Sequence, residues 1–169
     1  MTRTVDFAAV VRADPLFVDL AERAAAAGVD AALVGGLPRD LLLGRAPRDA
    51  DFVLAGEDAA MEGLLRDLAA THGTRVLAFD RREIRERRIP LPGREVDFVL
   101  TGPGGLVEEL RRRDFTLNAI AIRLDDGVVV DPFGGRADLA RGLLRHTAQG
   151  WLEHDPLRAL RAEIGRAHV

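Results

Sequence analysis

The segment "VGGLPRDLLLGRAPRDADFVL", residues 34 to 54, holds residue types that phosphate chemistry needs. Gly35 and Gly36 stand between an apolar stretch and a short helical stretch, where backbone N–H groups can approach a ligand closely. Arg39 follows them and can add a charge-assisted contact to phosphate. Taken alone, this pattern is more typical of a tight strand-to-helix turn in which Arg39 pairs with Asp40.

Two carboxylates follow in a predicted strand. Asp49 and Asp51 are two positions apart, so on a strand both side chains lie on one face. Like charges this close are unfavourable unless a cation lies between them, and carboxylate oxygens suit Mg²⁺, which often also binds substrate phosphates. An isolated Asp-x-Asp is more often a solvated loop or a helix cap. Here its position one helix after the glycine loop favours metal-assisted phosphoryl chemistry.

Asp97, in "GREVDFVL", is a candidate third carboxylate. Its neighbours Val96, Phe98 and Val99 are apolar, which predicts a strand. If Asp97 faces inward, it completes a two-metal site that activates an attacking hydroxyl and stabilises leaving pyrophosphate. An edge strand with Asp97 in water fits the same pattern equally well.

The elements that must position these residues alternate along the chain, with the strands clustered. They predict an α+β or mixed α/β fold with antiparallel strand pairs. Helical patterns cover 15–27, 38–44, 58–73, most of 105–122 and 135–145; strand patterns cover 30–36, 49–56, 74–79 and the pairs within 82–102 and 121–133.

Composition limits the function classes. The 169 residues include no cysteine, which excludes disulfides and thiolate metal sites. All 24 basic residues are arginine and the net charge is −3, so any binding to a polyanion must come from local arginine clusters. One such segment, residues 80–88, has interleaved acids that favour a solvated strand face over RNA contact. With no apolar run of membrane-spanning length, we expect a cytoplasmic protein without a membrane partner.

Four segments together resemble the bacterial-type tRNA nucleotidyltransferase (CCA-adding enzyme) and poly(A) polymerase family, within the polymerase-β-like nucleotidyltransferase superfamily. They are "LVGGLPRDLLLGRAPRDADFVL", "RRRDFTLNAIA" (111–121), "DPFGGRADLARGLLR" (131–145) and "HDPLRALRA" (154–162). The resemblance implies a mixed, mostly antiparallel sheet flanked by helices. It implies Mg²⁺-dependent, template-independent addition of C and A, from CTP and ATP, to the 3′ end of tRNA.

The resemblance also implies roles for the residues of the first segment. The glycine loop, Gly35 with Gly36, and Arg39 would hold the nucleotide triphosphate. Asp49 and Asp51 would be the Mg²⁺ ligands and catalytic residues.

In the second segment, Arg113 and Asp114 would bind nucleotide, with Asp114 near the ribose, and Asn118 resembles the amide position of the motif. From the residues alone, this segment is equally a helix end with solvated arginines, in which Asp114 caps the next helix.

The last segment resembles the nucleotide-selecting helix of the family. Asp155, Arg158 and Arg161 fall at i, i+3 and i+6 and share one helix face. Cytosine and adenine each present an amino donor beside a ring-nitrogen acceptor, so an aspartate and an arginine can select both. A surface helix with a salt bridge explains the same spacing if the other segments are ignored.

The resemblance predicts three parts of the chain. Residues 1–145 form the catalytic head domain, and residues 146–162 start a truncated neck domain that selects the nucleotide. We expect residues 163–169 to be a non-native tail, because "EIGRAHV" departs from the family pattern and matches translated sequencing adapter.

Two alternatives stay open. A poly(A) polymerase shares every motif, and a truncated nucleotide- or RNA-binding fragment without turnover fits the shortened last helix. The segment between Asp97 and Arg111 is also shorter than the family's flexible loop, which weakens any inference about switching between C and A.

Overall fold

The computed structural model describes residues 5–46, 50–81 and 84–147, which form a single seven-stranded sheet with helices around it. The helices are α1 (Phe7–Ala13), α2 (Pro15–Ala27), α3 (Gly36–Leu42), α4 (Asp58–Thr71), α5 (Leu106–Arg111) and α6 (Gly135–Arg141), with a 3₁₀ helix at Thr116–Asn118. The strands are β1 (Asp30–Val34), β2 (Ala50–Ala55), β3 (Leu77–Arg81), β4 (Ile84–Leu91), β5 (Arg94–Thr101), β6 (Ala121–Arg123) and β7 (Val129–Val130).

The strand order is β3-β4-β5-β2-β1-β6-β7. Strands β2 and β5 pair in parallel, and every other neighbouring pair of described strands is antiparallel. The predicted α+β class with a mixed, mostly antiparallel sheet is therefore confirmed. The parallel pair lies near the middle of the sheet and joins segments that are distant in sequence.

The two faces of the sheet differ. One face carries the main core under α2 and α4, where Phe52 stacks on Phe98 with ring centroids 5.3 Å apart and Phe17 of α2 meets Phe52 edge-on at 5.6 Å. The opposite face packs a smaller cluster that includes Val53 and Leu110. Because this second cluster is small, part of that face stays open to a ligand.

Helix α2 shows how the sequence sets an element's ends. Asp14 accepts a hydrogen bond from the Leu16 N–H (2.9 Å), Pro15 occupies the first turn, and Gly28 ends the helix with a left-handed φ of 67°. Arg94 of β5 donates two hydrogen bonds to the same Asp14 carboxylate, at 2.9 and 3.2 Å. Asp14 therefore both caps α2 and ties it to the sheet.

In local structure, one helix was missed and two predicted elements need correction. Helix α1 was not predicted. The helical stretch expected over 105–122 is interrupted, because Phe115 is extended, forms a bridge with His146 and precedes the 3₁₀ helix. The strand expected over 74–79 begins at Leu77, because the chain first closes α4 through a left-handed Gly73.

The solvated strand face that composition favoured for residues 80–88 is only partly present. Asp80 and Arg81 on β3 are exposed, but two arginines of β4 pair with α4. Arg87 is 8% exposed and donates to Glu62 of α4 and to Asp80 of β3. Arg85 lies on the same face and pairs with Glu62 and Asp58. Hydrogen bonding to Glu62 raises the pKa of Arg87 despite its burial. These arginines attach the β3–β4 hairpin to α4.

Several predicted residues lie outside the described part of the chain. They are Asp49 and the whole of the predicted selecting helix, with Asp155, Arg158 and Arg161. The predicted neck segment is described only as far as Thr147, and the predicted tail over 163–169 is also outside. Within the described residues, none of the helices has the length and apolar character that crossing a membrane requires.

Candidate active site

The open face of the sheet carries a cleft of about 410 Å³ between α3, β2 and the segment after α5. All but one of the predicted site residues that the structure describes line this cleft, and Asp97 lies in an adjoining cavity. The predicted site residues that line the cleft are Gly35, Gly36, Arg39, Asp51, Arg113, Asp114 and Asn118.

The glycine loop packs directly against a carboxylate. Gly35 has φ 73° and ψ −129°, a conformation that essentially only glycine adopts. A Cβ atom on Gly35 would lie 2.9 Å from the Asp51 Oδ2, and one on Gly36 would lie 3.3 Å from the Arg39 Nη2. The first glycine therefore leaves room for the carboxylate and the second for the guanidinium.

Arg39 is held by two hydrogen bonds on the cleft wall. Its Nε donates to the Asp40 Oδ1 over 2.9 Å, and its Nη1 donates to the Asn118 Oδ1 over 2.7 Å. The Asn118 Nδ2 in turn donates to the Asp114 Oδ1 over 2.8 Å. The Arg39–Asp40 pair that the simple turn required is present, yet the same guanidinium also reaches the second predicted motif.

The "LRRRDFT" segment has features of both interpretations. The Asp114 Oδ1 accepts from the Phe115 N–H over 2.8 Å, but the 3₁₀ helix that follows has no side-chain cap. The Arg113 side chain is only 22% exposed and lines the cleft. Arg111 and Arg112 are exposed, as the interpretation with solvated arginines expects. Arg113 instead lines the cleft, and Asp114 does not cap the helix that follows.

Arg113 has spare hydrogen-bonding capacity inside the cleft. Its Nη2 lies 3.5 Å from the Glu109 Oε1. Its Nε is buried and, among the residues that the structure describes, has no hydrogen-bond partner. A buried guanidinium N–H without a partner is costly, so the site is suited to a ligand that supplies an acceptor.

Glu109 is a cleft residue that the sequence interpretation missed. It is 8% exposed, and burial raises its pKa, an effect that the charges of Arg113 and Arg112 only partly offset. The signal was available, because Glu109 and Arg113 are four positions apart at the end of a predicted helix. Glu109 supplies a negative charge next to the arginine that faces the ligand space.

Asp51 and Asp97 are register partners on the parallel strands β2 and β5, so their side chains lie side by side on the open face. Arg88 of β4 donates to both Asp97 oxygens, at 2.6 and 2.9 Å, and this pairing raises the pKa of Arg88. The Asp97 side chain is 44% exposed. Asp97 thus faces the site and is also reached by water. Its strand β5 lies between β4 and β2, so it is not the edge strand of the second alternative.

The donor chemistry at Asp51 fits a divalent cation. Asp51 and Asp97 offer adjacent hard oxygen ligands, and the missing Cβ of Gly35 leaves space at the Asp51 Oδ2. The described residues, without Asp49, contain no group of three or more His, Asp or Glu side chains that could hold a metal. The residues present therefore fit part of a Mg²⁺ site.

Comparison with known proteins agrees with this geometry. The mixed sheet with its glycine loop and paired aspartates has the polymerase-β-like nucleotidyltransferase fold. Residues 31–145 match the family described as the poly A polymerase head domain. Because this match covers more than half of the chain, the chain belongs to that family.

Two curated relatives illustrate the similarity. The CC-adding tRNA nucleotidyltransferase of Geobacter sulfurreducens is 37% identical over 159 residues, which is 92% of this chain and 36% of the relative. The A-adding tRNA nucleotidyltransferase of Deinococcus radiodurans is 45% identical over 132 residues, which is 78% of this chain and 29% of the relative. The chain thus spans about a third of the length of these relatives.

Solved structures give the same result. The Thermotoga maritima CCA-adding enzyme complexed with tRNA matches with a TM-score of 0.79 and 32% identity, covering 96% of this chain and 40% of that one. A CCA-adding enzyme in complex with ATP matches with a TM-score of 0.73 and 31% identity, covering 96% and 41%.

Proposed function

We propose that the chain carries the nucleotidyl-transfer centre of a tRNA nucleotidyltransferase that adds C and A nucleotides to the 3′ end of tRNA. The observation that carries this proposal is the contact between the glycine loop and Asp51, with Arg39 and Arg113 in the same cleft. The relatives named CC-adding, A-adding and CCA-adding enzymes support tRNA, CTP and ATP as substrates.

In this proposal the cleft binds the nucleotide triphosphate. The loop at Gly35 and Gly36 offers backbone N–H groups to phosphate oxygens, and Arg39 and Arg113 neutralise the triphosphate charge. The buried Arg113 Nε gains the acceptor that it lacks in the described residues. Asp114 lies near the ribose, with its orientation set by Asn118.

The reaction joins the two substrates at one phosphorus atom. The 3′ oxygen of the RNA forms a bond to the α-phosphate, the bond from that phosphate to the leaving oxygen breaks, and pyrophosphate departs with the β- and γ-phosphates. Arg39 and Arg113 hold the departing charge, and no covalent enzyme intermediate is required. Mg²⁺ held by Asp51, Asp49 and Asp97 would supply Lewis-acid activation of the hydroxyl and charge neutralisation.

The proposal extends to the rest of the chain. Residues 1–145 act as the catalytic head, and residues 146–162 begin the neck domain. Asp155, Arg158 and Arg161 select C and A by the paired donor and acceptor pattern of those bases. We place the protein in the cytoplasm, with which a cysteine-free sequence is compatible.

Nucleotide binding tests the proposal before turnover. ATP and CTP are titrated into the 169-residue chain with and without Mg²⁺, and we expect Mg²⁺ to tighten the binding of both. Asp51→Asn removes this Mg²⁺ effect, whereas Asp67→Asn, an exposed carboxylate on α4, retains it. A cooperatively folding chain that binds neither nucleotide contradicts the proposal.

Turnover then separates the specificities. A tRNA that lacks its CCA end is incubated with labelled CTP or ATP, and the length of the product is read on a sequencing gel. Incorporation of C supports the tRNA nucleotidyltransferase, and long A tracts without C support a poly(A) polymerase. Mg²⁺-dependent nucleotide binding without incorporation indicates the binding fragment.

A further inference from the structure

On the open face, a second cavity of about 310 Å³ adjoins the cleft around Asp51 that we propose binds the nucleotide, the nucleotide cleft. The two share Asp51, Glu86, Val99 and Arg113 in their walls. The second cavity therefore begins at the same carboxylate as the first and extends away from the glycine loop, toward the free edge of the sheet at β3.

Phe79 lies at the far end of this second cavity. It is 43% exposed on the edge strand β3 and pairs in register with Glu86 of β4, so its ring lies on the same face as Asp97 and Asp51. The Arg88 guanidinium carbon lies 5.8 Å from the centroid of the ring. One side of the aromatic ring is thus supported by a cation while the ring stays accessible.

The charges around Phe79 nearly cancel. Arg88 pairs with Asp97 and Glu95, and Arg113 lines the shared wall together with Glu86 and Asp51. Arg81 is exposed and makes no hydrogen bond or ion pair within the described residues. The cavity therefore offers an aromatic surface with one available guanidinium instead of a strongly basic groove.

Nucleotidyl transfer needs a second substrate opposite the triphosphate. An attacking hydroxyl must approach the α-phosphate roughly in line with the leaving group, so the acceptor and the pyrophosphate lie on opposite sides of the reacting centre. The glycine loop and Arg39 occupy one side of Asp51. The second cavity is the space that remains on the other side.

We propose that this cavity binds the 3′-terminal single-stranded nucleotides of the RNA acceptor, with Phe79 stacking on a base and Arg81 contacting a phosphate. This inference rests on the proposed function and assigns its acceptor side. Every base has a π-face, so one aromatic platform accepts the successive 3′ ends that a growing chain presents. Because stacking does not depend on counterion release, the contribution of Phe79 to RNA affinity changes little with salt concentration.

A short RNA with 2-aminopurine at its 3′ terminus reports this stacking through fluorescence quenching. We expect the wild-type chain to quench the probe, Phe79→Leu to weaken binding by roughly 10-fold or more, and Phe79→Tyr to retain it. Val128→Ala, at an apolar position 51% exposed elsewhere, serves as the control. Titration of ATP into each variant gives unchanged affinity, because Phe79 does not line the nucleotide cleft.

The outcomes separate the two proposals. Wild-type RNA affinity and quenching in Phe79→Leu overturn the acceptor site, as does an RNA-binding chain whose probe is never quenched. If the wild type binds ATP with Mg²⁺ but not the RNA, the acceptor site is wrong and the nucleotide cleft stands. If ATP does not bind at all, the proposed function itself fails. Arg81→Gln is expected to weaken binding and to reduce its salt dependence.

Discussion

The Arg39 guanidinium donates to the Asn118 side-chain carbonyl over 2.7 Å, although the two residues lie 79 positions apart. The amide of Asn118 is oriented by this contact, because its nitrogen then faces the Asp114 carboxylate at 2.8 Å. The Asn118 side chain thereby joins the 3₁₀ helix to Arg39 of α3. Contacts within the chain therefore position the Arg39 cation and the Asp114 carboxylate, for which we propose contacts to the triphosphate and the ribose.

Asn118→Asp tests this bridge. The substitution keeps an acceptor for Arg39 but replaces the donor to Asp114 with a second carboxylate, which repels it. We expect ATP affinity to fall by roughly 10-fold at pH 7.5, with about 1–3 kcal/mol of lost stability. Calorimetric titration and urea unfolding measure the two effects.

The pH dependence of Asn118→Asp supplies the internal check. Protonation of one of two facing carboxylates restores a donor, so affinity relative to the wild type should recover as the pH is lowered. An Asn118→Asp protein that binds ATP as the wild type does at pH 7.5 would show that the bridge does not position the site.

Gly35→Ala should have effects beyond the stability lost to backbone strain. The added Cβ meets the Asp51 Oδ2 at 2.9 Å, on a backbone with φ 73°. Gly28→Ala is the control for a positive φ, because Gly28 has φ 67° and no described residue lies within 4 Å of the added atom. Gly28→Ala should lose about 1–2 kcal/mol because its backbone is left-handed αL. Gly35→Ala should lose more, since ψ −129° places Gly35 in a region that only glycine adopts. Only Gly35→Ala should lose Mg²⁺-dependent ATP binding. Equal ATP affinity in the two variants contradicts the close contact.

Much of the cleft around Asp51 could be predicted from sequence, because its parts are local. The glycine pair ends a strand and opens a helix, and Asp51 lies on the strand that follows. The short helix between them limits how far apart they can be. Residue types and spacing alone therefore placed Gly35, Gly36 and Arg39 near Asp51.

The position of Asp97 could not be obtained in this way. It depends on the parallel pairing of β2 with β5, which skips the intervening β3–β4 hairpin. Sequence periodicity contains no information about that crossover. The Arg88–Asp97 pair is easier to predict from sequence, because the two-residue turn after Leu91 sets the β4–β5 register.

The break in the predicted helical stretch, between α5 and β6, could not be predicted from the local sequence pattern either. Phe115 is extended because its segment bridges to His146, and the Thr116 N–H donates to the Arg145 carbonyl over 2.8 Å. These partners lie about thirty residues further along the chain. These tertiary contacts outweigh the helical propensity of residues 105–122. The break places Asn118 on the 3₁₀ helix, where its side chain lines the cleft.

Glu109→Gln should change how stability depends on pH. Burial raises the Glu109 pKa above its ordinary value of 4.5, with Glu86 adding to the effect and Arg113 and Arg112 opposing it. The folded state thus favours the protonated form, so the stability that Glu109 contributes is present below pH 4.5 and is lost as pH rises through the raised pKa.

We therefore expect Glu109→Gln to be at least as stable as the wild type at pH 8. The variant should also lack the part of the wild-type decrease in unfolding free energy that begins near pH 4.5. Glu108→Gln, which changes an exposed neighbour on the same helix, should follow the wild-type profile. Chemical unfolding across pH 4 to 8 measures this. Parallel profiles for Glu109→Gln and the wild type would exclude a buried charge at this position.

Asp14→Ala should remove both a helix cap and an ion pair. Burial acts to raise the Asp14 pKa, but hydrogen bonds from Arg94 and from the Leu16 N–H, with the charge of Arg94, lower it overall. Since the folded pKa is below 3.8, Asp14 stabilises the fold above that pH, and the stability is lost as pH falls through the lowered pKa.

At pH 7 the loss in Asp14→Ala should be about 1–2 kcal/mol, and it should shrink toward zero in acid. Asp6→Ala is the matched control, since Asp6 caps α1 through the Ala9 N–H at 3.0 Å and, among the described residues, pairs with no arginine. Asp14→Ala should cost more than Asp6→Ala at pH 7 because only Asp14 also binds Arg94 of β5. Equal losses in both variants would mean that the Arg94 pair adds nothing to the cap.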